Sequence, residues 1–346
     1  MSKRTMSKVA QSGWVLGICI GLTTLSACSE TQSETVDEPP PIRVDAAGAT
    51  ILETAGGTVR VHALQIGTVA VKRCHETLCG PEDTTLIERV LAMLMDRAFQ
   101  PPMPIFVYAI EHPEGVFVVD TGELAKFNSD PSYYACDPGE GQFDRGLLKV
   151  DVSPEQEVGP QLERLGIDPA SVSGVVITHL HADHTGGVPY FPGVPIYVSE
   201  VDYDLGASGG FVTCRSLGNA ELRFFEQQPT IDDELTGVFG PSSALTSDGA
   251  IRLVPTPGHT AGSRSVMVDG LDVDLMFVGD AFFDEEMLTN EQQAGINADF
   301  DANRDTYRKL KEWAETRPIV VLPAHDWASP ERLKQGATPP FGAPLP

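Results

Sequence analysis

The chain has 346 residues, of which 41% are hydrophobic and 7% aromatic, as in a folded globular protein of one large or two ordinary domains. Its formal net charge is −25, from 49 acidic and 24 basic residues. This balance argues against a nucleic-acid partner, because phosphates are bound by clusters of Lys and Arg that the sequence lacks. The acidity indicates a solvated surface and disfavours an anionic substrate, except where bound divalent cations reverse the local field.

The N-terminus has the pattern of an export signal. Three basic residues precede an apolar run over 14–25 that is short for a membrane span, so residues 1–27 are predicted to be a signal peptide. The run closes with Leu25-Ser26-Ala27-Cys28, which resembles the lipobox of bacterial lipoproteins. The resemblance implies that Cys28 is lipidated and that the protein lies in the cell envelope. An outer-membrane anchor, facing the periplasm or the exterior, is expected because Ser29 rather than aspartate follows. An ordinary cleaved signal is the alternative.

The remaining chain divides into three parts. Residues 28–50 are polar, acidic and rich in proline, which predicts a flexible tether. Residues 51–335 are predicted to form one folded domain, and residues 336–346 a C-terminal tail. Cleavage before Cys28 would remove three basic residues and no acidic ones, leaving a net charge of −28.

Export changes how the cysteines are interpreted. An even number of cysteines in an oxidising compartment permits two disulfides, with three possible pairings that the sequence leaves open. The cysteines concerned are Cys74, Cys79, Cys136 and Cys214.

The first half of the domain alternates strand and helix patterns. The predicted elements are a strand over 58–66 with a turn at 67–69, a helix over 84–99, a hairpin of strands 105–110 and 116–119, a long loop over 123–150 and a short helix over 154–165. The helix over 84–99 serves either as a structural cover or as a lid. His112, at the hairpin tip, is expected to be a solvated loop residue.

A dense cluster of potential ligands follows. Val175-Val176-Ile177 is predicted to be a short buried strand, and it leads into Thr178-His179-Leu180-His181-Ala182-Asp183-His184. Three of the eight histidines of the chain therefore lie within six positions. Imidazole and carboxylate groups without thiols suit zinc or a similar divalent ion, and open sheets usually carry such chemistry at strand ends.

The second half continues the same pattern. It predicts a helix from residue 200 to 205 and another over 302–315, with strands over 194–198, 251–254, 265–268, 275–278 and 319–322. His259, Asp280 and His325 each follow one of these later strands. Together with the cluster they make seven potential ligands at strand ends, which is the supply needed for two ions that share a carboxylate and a water.

The pattern resembles the metallo-β-lactamase superfamily and, within it, the N-acyl-homoserine lactonases. The motifs that carry the resemblance are Asp120-Thr121-Gly122, the 179–184 cluster, Thr256-Pro257-Gly258-His259, Gly279-Asp280 and His325-Asp326. The resemblance covers about residues 59–329. It implies an α/β fold, an αββα four-layer sandwich with its metal site at one edge of the two sheets.

The resemblance also implies residue roles. His179, His181 and His259 would hold one Zn²⁺, the three residues Asp183, His184 and His325 would hold the other, and Asp280 would bridge them. The implied activity is opening of the lactone ring of N-acyl-homoserine lactones, known as quorum quenching, through a metal-bridging hydroxide. Asp183 would be catalytic by passing a proton to the leaving alkoxide.

One position departs from the family pattern. Many lactonases carry a tyrosine three residues after the bridging aspartate, where this chain has Phe283. A hydroxyl from another part of the chain is one possible replacement, and the candidates are Tyr133, Tyr134 and Tyr203. Phe282 and Phe283, with Phe224 and Phe225, are predicted to contact an acyl chain of the substrate.

Three functions are compatible with these observations. The first is the lactonase, acting on a small-molecule signal, with the membrane reached only through the lipid anchor. The second keeps the fold and metals but acts on a thioester, a phosphotriester, another lactone or, less readily, a β-lactam, because dinuclear β-lactamases generally lack an aspartate at the position of Asp280. The third is a non-catalytic metal-binding lipoprotein, which would close its coordination spheres with protein ligands.

Overall fold

The computed structural model describes residues 42–135, 138–207 and 214–342. The predicted signal peptide, Cys28 and most of the predicted tether lie outside the described residues. Within the described residues, no helix is both long and apolar enough to cross a membrane.

The strands form two sheets. They are β1 (Arg43–Val44), β2 (Thr50–Thr54), β3 (Gly57–Val71), β4 (Met103–His112), β5 (Gly115–Val119), β6 (Leu148–Asp151), β7 (Gly174–Val176), β8 (Pro195–Val198), β9 (Glu221–Phe224), β10 (Thr230–Ile231), β11 (Ser242–Ala244), β12 (Ile251–Pro255), β13 (Arg264–Val268), β14 (Asp274–Gly279) and β15 (Ile319–Pro323). The first sheet has the order β1-β2-β3-β4-β5-β7-β8-β9, with β6 paired to β3, and the second has the order β10-β11-β12-β13-β14-β15.

The helices are mostly short. They are α1 (Arg73–Glu76), α2 (Leu86–Met95), α3 (Lys126–Ser129), α4 (Pro138–Leu147), α5 (Val158–Arg164), α6 (Ala182–Thr185), α7 (Glu200–Ala207), α8 (Cys214–Leu217), α9 (Glu234–Phe239), α10 (Glu285–Asn290), α11 (Phe300–Thr316) and α12 (Ser329–Gln335). Turns of 3₁₀-helix occupy Pro154–Gln156, Pro169–Ser171, Val188–Tyr190 and Phe225–Gln227.

The continuous apolar runs of the sequence arise because both faces of the central strands are buried. In β4, Val107 faces a core shared with α5, whereas Tyr108 faces the second sheet. In β14, Phe277 faces the first sheet and Met276 faces a core shared with α9 and α11. Side chains of successive residues point to opposite faces of a strand, so each run fills two cores. The layers are therefore helix, sheet, sheet and helix, which confirms the predicted αββα sandwich.

Parallel pairing places the strand ends that carry the candidate ligands. The first sheet is antiparallel from β1 to β5, and then β5, β7, β8 and β9 are parallel. In the second sheet β14 and β15 form the parallel pair. Parallel neighbours end on the same edge, so the segments that follow β5 and β7 lie together, as do those that follow β14 and β15.

Several predictions of local structure were wrong. The strand that was expected to turn at 67–69 runs on to Val71, with a bulge between Gln65 and Thr68 that Gly67 permits at φ +100°. The predicted loop over 123–150 contains α3, α4 and β6, whose short lengths depend on tertiary packing that local patterns do not reveal. The pairing of β1 with β2 shows that the folded part begins before residue 51.

His112 is not solvated as expected. Its side chain is buried, its Nε2–H donates to Asp248 Oδ2 at 2.9 Å, and its Nδ1 accepts the backbone N–H of Glu114 at 3.1 Å. Asp248 lies 136 residues away, so the hairpin sequence gave no sign of this partner.

Helix α2 begins at a capping motif and exposes several apolar side chains to solvent. Thr85 and Glu88 form a capping box at its start. Ile87 is 74% exposed, and Leu91, Leu94 and Met95 are also exposed, whereas Met93 is buried. Leu86 and Val90 of this helix border a cavity beside the candidate site. The helix is therefore a wall of that cavity.

Candidate metal centre and active site

The loop after β7 is held in place by Asp120, the residue that follows β5. The Thr178 backbone N–H donates to Asp120 Oδ1 at 2.8 Å, and the Thr178 hydroxyl donates to Asp120 Oδ2 at 3.0 Å. Asp120 has φ +60°, a left-handed conformation that aspartate tolerates better than most residues. Such backbone outliers cluster at functional sites, where the surrounding structure imposes them.

The glycine pair after the cluster lets the ligand loop approach the first sheet. The His184 carbonyl accepts the Thr121 backbone N–H at 2.8 Å and the Thr121 hydroxyl at 2.7 Å. A Cβ on Gly186 would collide with the carboxylate of Glu123, and one on Gly187 would collide with the Thr121 carbonyl. Both glycines are thus required by the close packing of α6 against the segment after β5.

The structure brings all seven predicted ligands together in two neighbouring groups. In each group the ligand atoms lie within 4.8 Å of one another. The first group is His179, His181, His259 and Asp280, and the second is Asp183, His184 and His325. Within the first, His181 Nδ1 lies 2.9 Å from His179 Nε2 and 3.0 Å from His259 Nε2.

The carboxylate of Asp280 lies between the two groups. Its Oδ2 is 3.8 Å from His179 Nε2 and 3.6 Å from His259 Nε2. Its Oδ1 is 3.2 Å from the Nε2 atoms of both His184 and His325. Each oxygen therefore faces one group, which is the arrangement that a carboxylate bridging two cations requires.

Four of the imidazoles are oriented by hydrogen bonds from Nδ1, which leave Nε2 toward the cluster. The Nδ1–H group of His184 donates to Asp120 Oδ2 at 2.8 Å, and that of His325 donates to the Pro104 carbonyl at 2.8 Å. The Nδ1 atom of His259 lies 3.3 Å from Asn297 Oδ1, and that of His179 lies 3.2 Å from the Thr178 hydroxyl. Outer partners of this kind fix the tautomer and ring orientation of metal-binding histidines.

Two buried polar atoms at the centre of the cluster, His184 Nε2 and Asp280 Oδ1, lie 3.2 Å apart without forming a hydrogen bond. Neither has another hydrogen-bond partner among the described residues. Buried polar atoms without partners are rare and costly, and an ion is one recognised explanation. The donor set of imidazole nitrogens and carboxylate oxygens fits zinc or another borderline divalent cation. These residues therefore fit a pair of metal ions.

The pKa values of the buried groups in the cluster are shifted in different directions. Burial would raise the pKa of Asp280, but His325 and His184 lower it well below its usual value. Burial lowers the pKa of His184, but Asp280, Asp120 and Asp183 raise it well above the usual value. Burial and neighbouring imidazoles hold the pKa of His179 well below its usual value. The carboxylates therefore favour positive charge at His184, and a bound cation would supply positive charge at the same place.

Two cavities adjoin the cluster. The first, of about 50 Å³, is lined by the candidate ligands His181, Asp183, Asp280 and His325. His75, Asp144, Phe283 and several apolar residues complete its lining. The second, of about 250 Å³, borders His181 and His259 and is otherwise largely apolar. Its apolar walls include Leu86, Val90, Leu180, Leu205, Ala261 and Ile296.

The predicted aromatic contacts lie in different places. Phe283 lines the first cavity, with its ring edge-on to His325 at 5.7 Å between centroids. Phe282 is buried in the helix-covered core against Tyr307. Phe225 packs between the sheets, and Phe224 contacts Tyr203.

Two candidate hydroxyls are already engaged. The Tyr133 hydroxyl donates to Glu123 at 2.6 Å, and the Tyr134 hydroxyl donates to Asp144 at 2.7 Å. These two tyrosines brace the loop next to the site through buried carboxylates.

Sequence reasoning missed three residues at the site. Asp120 was recognised only as part of a motif, and nothing marked its contact with His184. Asn297 lies between predicted elements and has no spacing signal. His75 was singled out by no motif, yet its buried side chain lines the first cavity, and burial together with nearby His181 lowers its pKa to about 4.

Only one disulfide involves described residues. Cys74 and Cys79 are bonded. Cys136 and the side chain of Cys214 lie outside the described residues, so the second predicted pairing stays a prediction.

The fold and the ligand geometry agree with the sequence comparisons. The family model described as the metallo-beta-lactamase superfamily matches residues 101–325, which include all seven candidate ligands. The chain belongs to the metallo-β-lactamase superfamily. Membership confirms the predicted family and identifies the chain as a hydrolase of that superfamily.

The similar proteins include lactonases. The N-acyl homoserine lactonase AttM of Rhizobium radiobacter is 28% identical over 244 residues, covering 67% of this chain and 85% of that protein. The structure of an N-acyl homoserine lactone hydrolase with N-hexanoyl-L-homoserine at its catalytic metal centre has a TM-score of 0.60 at 18% identity, covering 78% of this chain and 94% of that one. AidC, a dizinc quorum-quenching lactonase, has a TM-score of 0.52 at 14% identity, covering 81% and 92%.

The first prediction concerns the hydrogen bond from His184 to Asp120. Asn at position 120 keeps the left-handed conformation but loses the negative charge that accepts the imidazole N–H. Outer-sphere changes of this kind cost about 10–100-fold in metal affinity. We expect Asp120→Asn to weaken zinc binding by that factor, measured by competition with a chromophoric chelator.

Glu111→Gln is the matched control. It changes a carboxylate that lies 2.6 Å from Nε2 of His62, and neither residue belongs to a group that could hold a metal ion. Its zinc affinity should equal that of the unsubstituted protein. Equal affinity in the Asp120→Asn protein would show that the bond does not orient a ligand.

Proposed function

We propose that the protein opens the lactone ring of N-acyl-homoserine lactones, and so quenches quorum signals, with two Zn²⁺ or similar divalent ions. His179, His181 and His259 would hold one ion and Asp183, His184 and His325 the other, with Asp280 shared. The division of the Asp280 oxygens between the two groups supports a dinuclear site.

The observation that carries the substrate proposal is the apolar cavity beside the ligands. His181 and His259 border it directly, so a molecule can occupy the metal site and the cavity at once. An acyl-homoserine lactone has a compact polar ring joined to an apolar chain, which matches a polar centre next to an apolar pocket. The similarity to AttM and to a hydrolase that holds N-hexanoyl-L-homoserine supports the same substrate class.

The chemistry is a hydrolysis. Two divalent ions in such a site would lower the pKa of a water to about 7 and polarise a carbonyl group. A water oxygen bonds to the lactone carbonyl carbon, the ring C–O bond breaks, and the products are a carboxylate and an alcohol. Asp183 Oδ2 lies 3.5 Å from His325 Nε2 at the wall of the first cavity. There its carboxylate would accept a proton released by the attacking water and then return that proton to the leaving alkoxide.

The activity test uses the zinc-loaded protein and a substrate panel. The panel contains hexanoyl- and decanoyl-homoserine lactones, an acyl thioester, a phosphotriester and a β-lactam, with products identified by mass spectrometry. We expect ring opening of the lactones with kcat/KM at least about 100-fold above the other members, and loss of turnover with chelator. Hydrolysis of another member with lactones intact would assign a different substrate. Tight binding of two metals without any turnover would favour a metal-binding protein.

The length of the substrate's acyl chain provides a further comparison in the same experiment. Val90→Trp fills the apolar cavity from α2, whereas Ile87→Trp places the same ring on the exposed face of that helix. Each buried CH₂ contributes about 0.8 kcal/mol, so Val90→Trp should lower kcat/KM for the decanoyl substrate by about tenfold or more and for the hexanoyl substrate by less. Ile87→Trp should match the unsubstituted enzyme. An equal loss for both chain lengths would remove the acyl chain from this cavity.

We also propose that the protein is exported and anchored to the cell envelope by a lipid on Cys28. The Leu25-Ser26-Ala27-Cys28 motif supports the anchor, and the Cys74–Cys79 disulfide is typical of oxidising compartments outside the cytosol.

Metabolic labelling with a palmitate analogue tests this anchor. The full chain expressed in a bacterium should incorporate the label into the membrane fraction, and Cys28→Ala should abolish incorporation while leaving the remaining chain unchanged. A mature protein that is cleaved but unlabelled in the unsubstituted chain would instead establish an ordinary signal peptide.

A further inference from the structure

We propose that His75 is a catalytic residue that donates its imidazole N–H to the carbonyl oxygen of the bound lactone. This role rests on the proposed lactone hydrolysis. Negative charge develops on that oxygen when the carbonyl carbon is attacked, and a preplaced donor stabilises it.

The lining of the first cavity leaves few candidates for such a donor. Among its described residues, the side chains with nitrogen or oxygen atoms are His75, Asp144, His181, Asp183, Asp280 and His325. Four of these belong to the two ligand groups. Asp144 accepts the hydroxyl of Tyr134 at 2.7 Å, and a carboxylate has no proton to donate. His75 is therefore the donor available to a substrate in this cavity.

The ring of His75 is buried with a nitrogen unpaired. Its side chain is more than nine-tenths buried, and Nδ1 has no hydrogen-bond partner among the described residues. A bare acceptor is less costly to bury than a bare N–H, so the favoured neutral tautomer carries its proton on Nε2. An imidazole with this tautomer offers one N–H to a ligand in the cavity.

Phe283 sets the orientation of that ring. The two rings are stacked, with an interplanar angle of 10° and centroids 6.1 Å apart. The same Phe283 ring makes edge contacts with His259 at 6.1 Å and His325 at 5.7 Å, one member of each ligand group. His75 is thus packed in fixed relation to both candidate metal positions.

The backbone around His75 is clamped as well. The Cys74–Cys79 disulfide closes a small loop around it. The Ile296 N–H donates to the His75 carbonyl at 3.3 Å, and the Leu78 N–H donates to the Gln293 carbonyl at 3.1 Å. A Cβ on Gly295 would collide with the Cys74 carbonyl, so the two segments pack without room for a side chain there.

The segment packed against His75 also contacts one of the candidate ligands. That segment continues to Asn297, whose Oδ1 lies 3.3 Å from His259 Nδ1. One short stretch of chain therefore positions both a candidate ligand and the proposed donor. Groups held this way need no reorganisation when charge develops, which is the condition for effective stabilisation.

The test compares three variants in the zinc-loaded full chain. His75→Phe keeps an aromatic ring against Phe283 but has no donor. His75→Gln restores an N–H near the position of Nε2, and His62→Phe makes the same change at a buried histidine that is bonded to Glu111 away from the ligand groups. Readouts are kcat and KM for hexanoyl-homoserine lactone, zinc content and thermal unfolding.

We expect His75→Phe to lower kcat by about 100-fold with KM changed less than about threefold and zinc content unchanged, as for loss of one oxyanion donor. His75→Gln should regain about tenfold, and His62→Phe should match the unsubstituted enzyme. An unchanged kcat in His75→Phe would overturn the role of His75 and leave the proposed function standing. A loss of kcat that His75→Gln does not restore, or that accompanies a loss of zinc, would overturn that role as well. An unsubstituted enzyme inert toward lactones would overturn the proposed function and this role together.

Discussion

The rest of the site depends on one carboxylate that faces two groups of imidazoles. Asp280 is buried, and its oxygens lie 3.2–3.8 Å from the Nε2 atoms of His179, His184, His259 and His325. Together with Asp280, those histidines come from four separate segments, so the fold must bring four strand ends to one point. The parallel pairs β5–β7 and β14–β15 place three of these segments at strand ends on one edge. Strand β12, which precedes His259, runs in the same direction as β14 because both pair antiparallel with β13. Polar groups gathered this densely are stable only when something compensates them, and two cations fit that requirement.

Support for this centre comes from residues that do not themselves face the cations. Asp120 fixes the loop after β7 and the His184 ring, and Asn297 contacts His259. The glycine pair after α6 allows close approach to the segment after β5, where a Cβ would collide, and the disulfide closes the loop that contains His75. The strain at Asp120 and the tight packing act together, because each restricts the loop that presents the ligands.

The sequence was most informative where chemistry is dense and local. The seven candidate ligands, the strands that precede them and the sandwich class followed from strand-end histidines, apolar runs and family motifs. Elements such as α4 and β6 were missed, because their short patterns are stabilised by contacts with distant segments. His112 and His75 were missed for the same reason: Asp248 and Phe283, which determine their environments, lie far away in sequence. Long-range partners of single polar residues leave no periodic signal.

The most direct measurement is anomalous diffraction from crystals of the zinc-loaded protein, recorded on both sides of the zinc absorption edge. We expect two anomalous peaks per chain, one on each side of the Asp280 carboxylate, with the apolar cavity beside His181 and His259 open to the metals. A single peak, or two peaks of which either lies away from Asp280, would contradict the dinuclear centre and the hydrolysis that depends on it.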